Sequence, residues 1–466
     1  MSNFWKLLCL LPFVACVGQN NTQEDKGSDT GNALFANNVV SNKGEHPLTI
    51  ETRLDKSYYH AKGDKKEAYL YIEVRGAEAK QDKKRAPLNV SLVLDRSGSM
   101  KGDKMVYAKK ALDFVIDQLS PEDMLSIVAY DDAIDVVSSS SFVKNKAALH
   151  KHVSNIHESG STNLCGGMIE GYVQIKSGQT DGYIRRNLLI SDGLANAGVT
   201  DPQQIQRVAE KYFKENGIAT STFGIGLDYN ENLMTGISES GGGNYYFIDN
   251  ADKIPNIFAK ELQGLLQVVA QSAKLKVKFP SKNLKVAKVY GYPYTTNGDE
   301  VSINFSDVFS QEEKTILIKF EVTEPMKEDV TFESRVSYID ASSLENGEIV
   351  SPTKLTFTHD LSLTTNEEDA KVKENRVLFE SSEMLDEIMT EVDNNNVTKA
   401  KTKNKELEKY MHENKPAAAS PRYQAQEKNV SEYKDKIDKY ESMPVEEQKS
   451  MQKAGKSANY EMKKRK

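Results

Sequence analysis

Between Pro87 and about Gln271 the apolar positions switch repeatedly between short runs and helical spacing. Val90-Ser91-Leu92-Val93-Leu94 reads as a buried strand, whereas Met105, Ala108, Leu112, Val115, Ile116 and Leu119 recur at a helical period. Met124 to Tyr130, Asn187 to Ile190, Ile218 to Ile225 and Tyr245 to Ile248 predict further strands, with a short one at Ile134 to Val137. Helical spacing covers Asn145 to His157, Leu164 to Ile175, Asn230 to Ser240 and Lys253 to Val269. Asp201-Pro202 gives an N-cap and a first-turn proline for a helix reaching about Lys214. Strand–helix alternation of this kind predicts an α/β unit, a mostly parallel sheet covered by helices on both faces.

The flanks keep a period of two. Leu70, Ile72 and Val74 alternate with Tyr69, Tyr71 and Glu73, and Leu275, Val277 and Phe279 alternate with lysines. Val301, Ile303 and Phe305, then Ile316, Ile318, Phe320 and Val322, repeat the pattern. Asn297-Gly298 and Asn346-Gly347 lie between such runs and predict hairpin turns. Forty residues alone make a marginal domain. The segments 47–86 and 272–365 are therefore expected to build one antiparallel β-sandwich, with the α/β unit of 87–271 inserted into it.

Residues 366–466 change character, with 21 Lys/Arg against 21 Asp/Glu. Val377, Leu378, Met384, Leu385, Ile388, Met389 and Val392 form one helical stripe, and Ala400, Leu407 and Met411 suggest a second. Ser420-Pro421 reads as an N-cap pair, after which Tyr423, Val430, Tyr433, Ile437 and Tyr440 recur at heptad-like spacing. A charged helical region follows, ending in a Lys463-Lys464-Arg465-Lys466 run expected to be solvated.

At the other end, Lys6 precedes an apolar stretch from Leu7 to Ala15, too short to span a bilayer and of signal-peptide length. Ala15-Cys16 resembles the bacterial lipoprotein processing box, which implies that 1–16 is a targeting segment whose Cys16 is lipidated and becomes the mature amino terminus. An ordinary secretory signal is the alternative, and both readings export the chain. Residues 17–46, rich in Asn, Gln, Asp, Gly and Ser, are expected to form a flexible tether. Three cysteines are too few for a disulfide scaffold, and the net charge of −7 argues against nucleic acid as the main partner.

One constellation carries chemistry. Asp95-Arg96-Ser97-Gly98-Ser99-Met100 directly follows the first strand of the α/β unit, and Ser191-Asp192-Gly193 follows another. Functional loops of open α/β sheets lie at these carboxyl ends. Thr162, in Ser159-Gly160-Ser161-Thr162-Asn163, opens a helix. Two carboxylates and three hydroxyls can thus meet at one sheet edge. Such hard oxygen donors suit Mg²⁺, Mn²⁺ or Ca²⁺. Five side chains leave a coordination position open, for which a partner's carboxylate is a natural ligand. Gly98 is expected to let the loop turn tightly between the serines. Asp131-Asp132, at the end of the second strand, is expected to be a solvated turn, with an acid supporting the site from behind as the alternative, and Cys165 is expected to be a small buried residue.

The D-x-S-x-S pattern, then a threonine, then an aspartate in a D-G turn resembles the metal-ion-dependent adhesion site of von Willebrand factor type A domains. Asp95, Ser97, Ser99, Thr162 and Asp192 match it position by position, and Asn196 and Gly198 continue the likeness. More weakly, the flanks look like a bacterial branch related to inter-α-trypsin inhibitor heavy chains and calcium-activated chloride channel-like proteins. The resemblance implies a Rossmann-like sheet and metal-dependent protein binding without catalysis, most simply through Mg²⁺. The resulting expectation is an envelope protein, lipid-anchored and facing periplasm or surface, whose partner presents an acidic residue; no nucleic acid and no small-molecule substrate are expected. The alternatives are a metal-dependent hydrolase, for which no general base is evident, and a metal-independent scaffold.

Overall fold

The computed structural model describes residues 38–40, 46–61, 66–79, 85–178, 182–192, 194–323, 328–364 and 367–464. Cys16 and the whole proposed signal lie outside these residues.

The described residues begin with strands β1 (Asn38–Val40), β2 (Leu48–Leu54), β3 (Tyr58–His60) and β4 (Lys66–Gly76). β1 falls inside the stretch expected to be tether, yet pairs antiparallel with β2, Asn38 opposite Thr52.

The α/β unit follows: β5 (Leu88–Asp95), α1 (Asp103–Gln118), β6 (Met124–Tyr130), β7 (Ile134–Phe142), α2 (Lys146–Ser154), α3 (Leu164–Ser177), β8 (Ile184–Ser191), α4 (Pro202–Asn216), β9 (Ala219–Ile225), α5 (Glu231–Ser240), β10 (Gly242–Ile248) and α6 (Ile254–Leu266). Its six strands run in the order β10-β9-β8-β5-β6-β7, parallel except for β7 at one edge. β5 is buried along its whole length. One face packs Leu92, Leu94, Leu112, Ile116 and Phe258; the other packs Val93, Leu164, Met168, Leu189 and Ile237. Burial on both faces is why these strands read as continuous apolar runs. Asp201 caps α4 through Gln204 N–H, with Pro202 at the first position. The last helix stops short of the expected Val269, because Val268 already starts the next strand.

Beyond it come β11 (Val268–Lys278), β12 (Leu284–Tyr290), β13 (Thr295–Asn297), β14 (Glu300–Asn304), β15 (Asp307–Phe309), β16 (Glu313–Val322), β17 (Val330–Asp340) and β18 (Asn346–Thr358). One sheet is ordered β1-β2-β4-β16-β12, the other β13-β14-β11-β17-β18-β3, with β15 also on β11. β4 and β16 pair over ten residues from Glu313↔Arg75 to Val322↔Lys66, so both flanks build one sheet. The α/β unit is thus an insertion in a sandwich. Pairing is antiparallel apart from β3, which runs parallel to β18. Between the sheets lie Leu70, Ile72, Val74, Leu275, Val277, Ile303, Ile316, Ile318, Phe320 and Phe332.

The hairpin expected at Asn297-Gly298 is present between β13 and β14, with Gly298 at φ +61°. Asn346-Gly347 is not a turn. Both lie in β18, and the reversal occurs at 341–345. There the Asp340 carboxylate accepts from Ser342 N–H at 2.7 Å and Ser343 N–H at 3.0 Å, an Asx turn that wins over the Asn-Gly pair.

Four helices close the described chain: α7 (Ala370–Asp393), α8 (Val397–Glu413), α9 (Pro421–Lys439) and α10 (Val445–Lys464). They share a core of Leu385, Ile388, Val392, Leu407, Met411, Val430, Tyr433 and Ile437. α7 also covers the outer face of the first sheet through Val372 and Phe379, burying Tyr69, Tyr71 and Leu317. Lys463 pairs with Asp386, and Lys464 lies over the Tyr292 ring at 4.9 Å. These two lysines are docked rather than solvated.

Candidate metal centre

Parallel strands present their carboxyl ends at one edge of the sheet. β5 and β8 are hydrogen-bonded neighbours in register from Leu88↔Ile184 to Leu94↔Ile190. That register sets Asp95 beside Ser191-Asp192, and Ser191 Oγ donates to Asp95 Oδ2 at 2.6 Å. Ser97 N–H donates to Asp95 Oδ1 at 2.8 Å, curling the loop back on its own aspartate. A single 3-10 turn, Gly98–Met100, then brings Ser97 Oγ and Ser99 Oγ within 3.1 Å. Ser97 is buried and Ser99 exposed.

Gly98 does not use glycine's conformational freedom as expected. It is absent from the left-handed region, and a Cβ there would sit 3.6 Å from Gly160 O, an ordinary contact. The left-handed residue is Gly160, at φ +65°, where a Cβ would strike the Asp132 carboxylate. Gly98 N–H donates to Gly160 O at 3.1 Å, and Ser159 N–H to Arg96 O at 2.8 Å, so the serine and threonine loops are laced together. Asp131 is buried, not solvated; it accepts from Arg96 Nε at 3.1 Å, and its backbone carbonyl from Asn163 N–H at 2.8 Å.

Thr162 is buried and tied to the aspartate loop. Its N–H donates to Asn196 Oδ1 at 2.7 Å, and its carbonyl accepts from Asn196 and Ala197 N–H, each at 3.1 Å. Asn196 is thus a clasp between two loops. Cys165 on α3 is buried as expected, and burial pushes its thiol pKa up.

The electrostatics are severe. Asp95 and Asp192 are both fully buried. Burial pushes the Asp95 carboxyl up to about 6; the bonds from Ser191 and Ser97 oppose the rise, and the Asp192 charge adds to it. Asp192 Oδ2 accepts from Lys104 Nζ at 2.9 Å, while Oδ1 is buried with no hydrogen-bond partner. An unsatisfied buried acceptor costs about 1–3 kcal/mol, more when charged. A cation at Oδ1 would remove that cost. Two carboxylates and three hydroxyls form a hard-oxygen set, so the residues fit Mg²⁺, Mn²⁺ or Ca²⁺. Among the described residues no three His, Cys, Asp or Glu side chains gather as a metal site; in this set hydroxyls would have to supply the remaining donors. Lys104 is the charged neighbour of Asp192 that sequence reasoning missed. Its signal was a basic residue in the first turn of α1, where the helix dipole disfavours positive charge.

Residues 89–260 match the family model for the von Willebrand factor type A domain. This unit is a von Willebrand factor type A domain. Relatives of the chain include YfbK of Escherichia coli, 30% identical over 212 residues covering 45% of this chain and 36% of YfbK. The protein sll0103 of Synechocystis is 26% identical over 292 residues, 60% of this chain and 68% of that protein. Inter-alpha-trypsin inhibitor heavy chain H3 of mouse is 23% identical over 228 residues, 47% of this chain and 25% of the heavy chain. The chain therefore spans about a third of YfbK and a quarter of the heavy chain. Among solved structures, a von Willebrand factor type A protein from Catenulispora acidiphila superposes with TM-score 0.68 at 16% identity, over 91% of this chain and 98% of that one. The ArnB paralog VWA2 from Sulfolobus acidocaldarius gives 0.61 at 16% identity, over 90% and 98%. The fold shared with both extends well beyond the type A domain. Type A domains generally mediate protein–protein interaction and often bind a divalent metal.

Proposed function

We infer that the chain binds a protein partner through a divalent cation held by Asp95, Ser97, Ser99, Thr162 and Asp192, with the partner's carboxylate completing the coordination. The observation that carries this is Asp192 Oδ1, a buried carboxylate oxygen with no donor, beside the buried Asp95 carboxylate and two adjacent serine hydroxyls. Mg²⁺ is the first candidate for a set of hard oxygens with one open position. The role is recognition: the type A unit carries the site, and the sandwich and helical region position it. The chain acts at a bacterial cell envelope, held to a membrane by lipid on Cys16. The Ala15-Cys16 junction after an apolar stretch supports that part.

Calorimetric titration of Mg²⁺ into wild type and Asp95→Ala tests the site. Saturable binding by the wild type and its loss in a folded variant are expected. Equal affinity in both sinks the assignment. Mass spectrometry of the mature amino terminus tests the anchor; an unmodified terminus beginning after residue 16 removes it.

A further inference from the structure

Lys104 occupies a position that ordinary helix electrostatics would empty. It is the second residue of α1, whose amino-terminal end carries partial positive charge. Its ammonium nevertheless lies 2.9 Å from Asp192 Oδ2, with the side chain 23% exposed against 0% for the aspartate. The stem lies in a slot made by Gly226. That glycine follows β9 at φ +84°, and a Cβ on it would come 2.7 Å from Lys104 Cε. A residue with a side chain at 226 would push the lysine away. Beyond the slot stands Asp228, which pairs with Lys449 of α10 at 2.6 Å. The slot aims the ammonium at one oxygen of Asp192 and leaves the other, Oδ1, without a partner.

We propose that Lys104 is a built-in monovalent counter-ion of the metal site, which holds Asp192 when the metal is absent and makes the loaded site selective for a carboxylate. The inference rests on the metal reading above. Without metal, two buried carboxylates face a single ammonium. With a divalent cation and Lys104 together, three positive charges face two negative ones. The loaded site then carries a net positive charge at the face where Ser99 is exposed, and an anionic ligand neutralises it. Lys104 also repels the incoming cation and occupies one of the two Asp192 oxygens. It therefore lowers metal affinity while raising carboxylate affinity. A site made of the five oxygen-donor residues alone would be neutral when loaded and would discriminate less between an anionic and a neutral ligand.

The test uses the whole chain with Lys104→Met, which keeps a long stem beside Gly226 and removes the charge, and Lys104→Gln, which keeps a donor for Asp192 without the charge. Circular dichroism first establishes that each is folded. Calorimetry with Mg²⁺ alone is expected to show both variants binding about fivefold or more tightly than wild type, because a like charge has been removed. On the Mg²⁺-saturated proteins, fluorine NMR with fluoroacetate as probe is expected to show affinity falling several-fold in both variants. Mg²⁺ affinity that is unchanged or weaker in both variants overturns the proposal, and so does equal fluoroacetate affinity across the three proteins. A wild type that takes up no Mg²⁺ overturns the metal reading itself, an outcome distinct from wild-type binding that the variants fail to exceed.

Discussion

Replacing Asp95 by Asn should stabilise the metal-free protein while abolishing its response to metal. The magnitude follows from burial. The carboxyl titrates at 3.8 when solvated and is pushed up to about 6 in the fold. About two pKa units at 1.36 kcal/mol each make the ionised carboxylate cost about 3 kcal/mol at neutral pH. The sign follows from the direction of the shift: an acid whose folded pKa is raised loses stability as pH climbs from 3.8 through 6, and the loss is complete above that range. Asn stays neutral throughout. It can still accept from Ser97 N–H through its oxygen, and its amide can donate to Ser191 Oγ once that hydroxyl turns. In EDTA at pH 7.5 the variant should melt above wild type by roughly 6–12 °C, at about 2–4 °C per kcal/mol for a domain of this size. At pH 4 the difference should close. With millimolar Mg²⁺ the order should shift the other way, because only wild type gains from the cation. Scanning calorimetry in EDTA and in Mg²⁺ at the two pH values measures all four cases. A variant that melts below wild type in EDTA at pH 7.5 refutes the reasoning, since the carboxylate would then be a structural asset.

Three further outcomes are expected. Arg186, fully buried, donates to Asp307 at 2.9 Å and lies 3.9 Å from the buried Glu261 carboxylate; Arg186→Met should cost about 3–5 kcal/mol in urea unfolding by stranding both acids, and Arg186→Met with Asp307→Leu should recover only part of it. Burial alone would raise the Glu231 carboxyl, but hydrogen bonds from Lys453 and Lys456 of α10 hold it below 4.5; its ionised form therefore adds stability above about pH 4.5 that fades as pH falls, and Glu231→Gln should flatten this acid slope in melts from pH 7 to 3. Gly160→Ala should destabilise by at least roughly 1–2 kcal/mol for its left-handed backbone, whereas Gly98→Ala should stay within about 0.5 kcal/mol of wild type, thermal melts comparing the two.

The α/β unit was legible because its signals are local. Runs such as Val90 to Leu94 are buried on both faces, and Asp95, Ser97 and Ser99 keep fixed spacing within one loop. What escaped depends on contacts made from far along the chain. Tyr69, Tyr71 and Glu73 read as the polar side of an alternating strand, yet α7, some 300 residues later, buries them; Tyr71 OH and Lys371 Nζ then hold Glu73 at 2.5 and 3.2 Å. Asn346-Gly347 misled because the competing signal, Asp340 accepting from the two serine amides, looks like ordinary polar sequence. Lys104 escaped because its partner Asp192 lies 88 residues away.

The pairing of β4 with β16 also bears on the order in which the chain can fold during synthesis. Arg75 and Glu313, partners across that pair, are 238 residues apart. At about 5–20 residues per second a ribosome needs roughly 10–50 s to deliver the second strand after the first. Every strand of the type A sheet, from Leu88 to Ile248, emerges within that interval. The inserted unit can therefore be complete while β4 still presents an open apolar edge. Early β4 is thus a natural point of capture by a holdase chaperone. In a chain expressed without residues 1–16, and so kept from export, slowing translation between residues 250 and 313 should increase aggregation of nascent chains far more than the same delay placed after Thr358, where the sandwich has received its last strand.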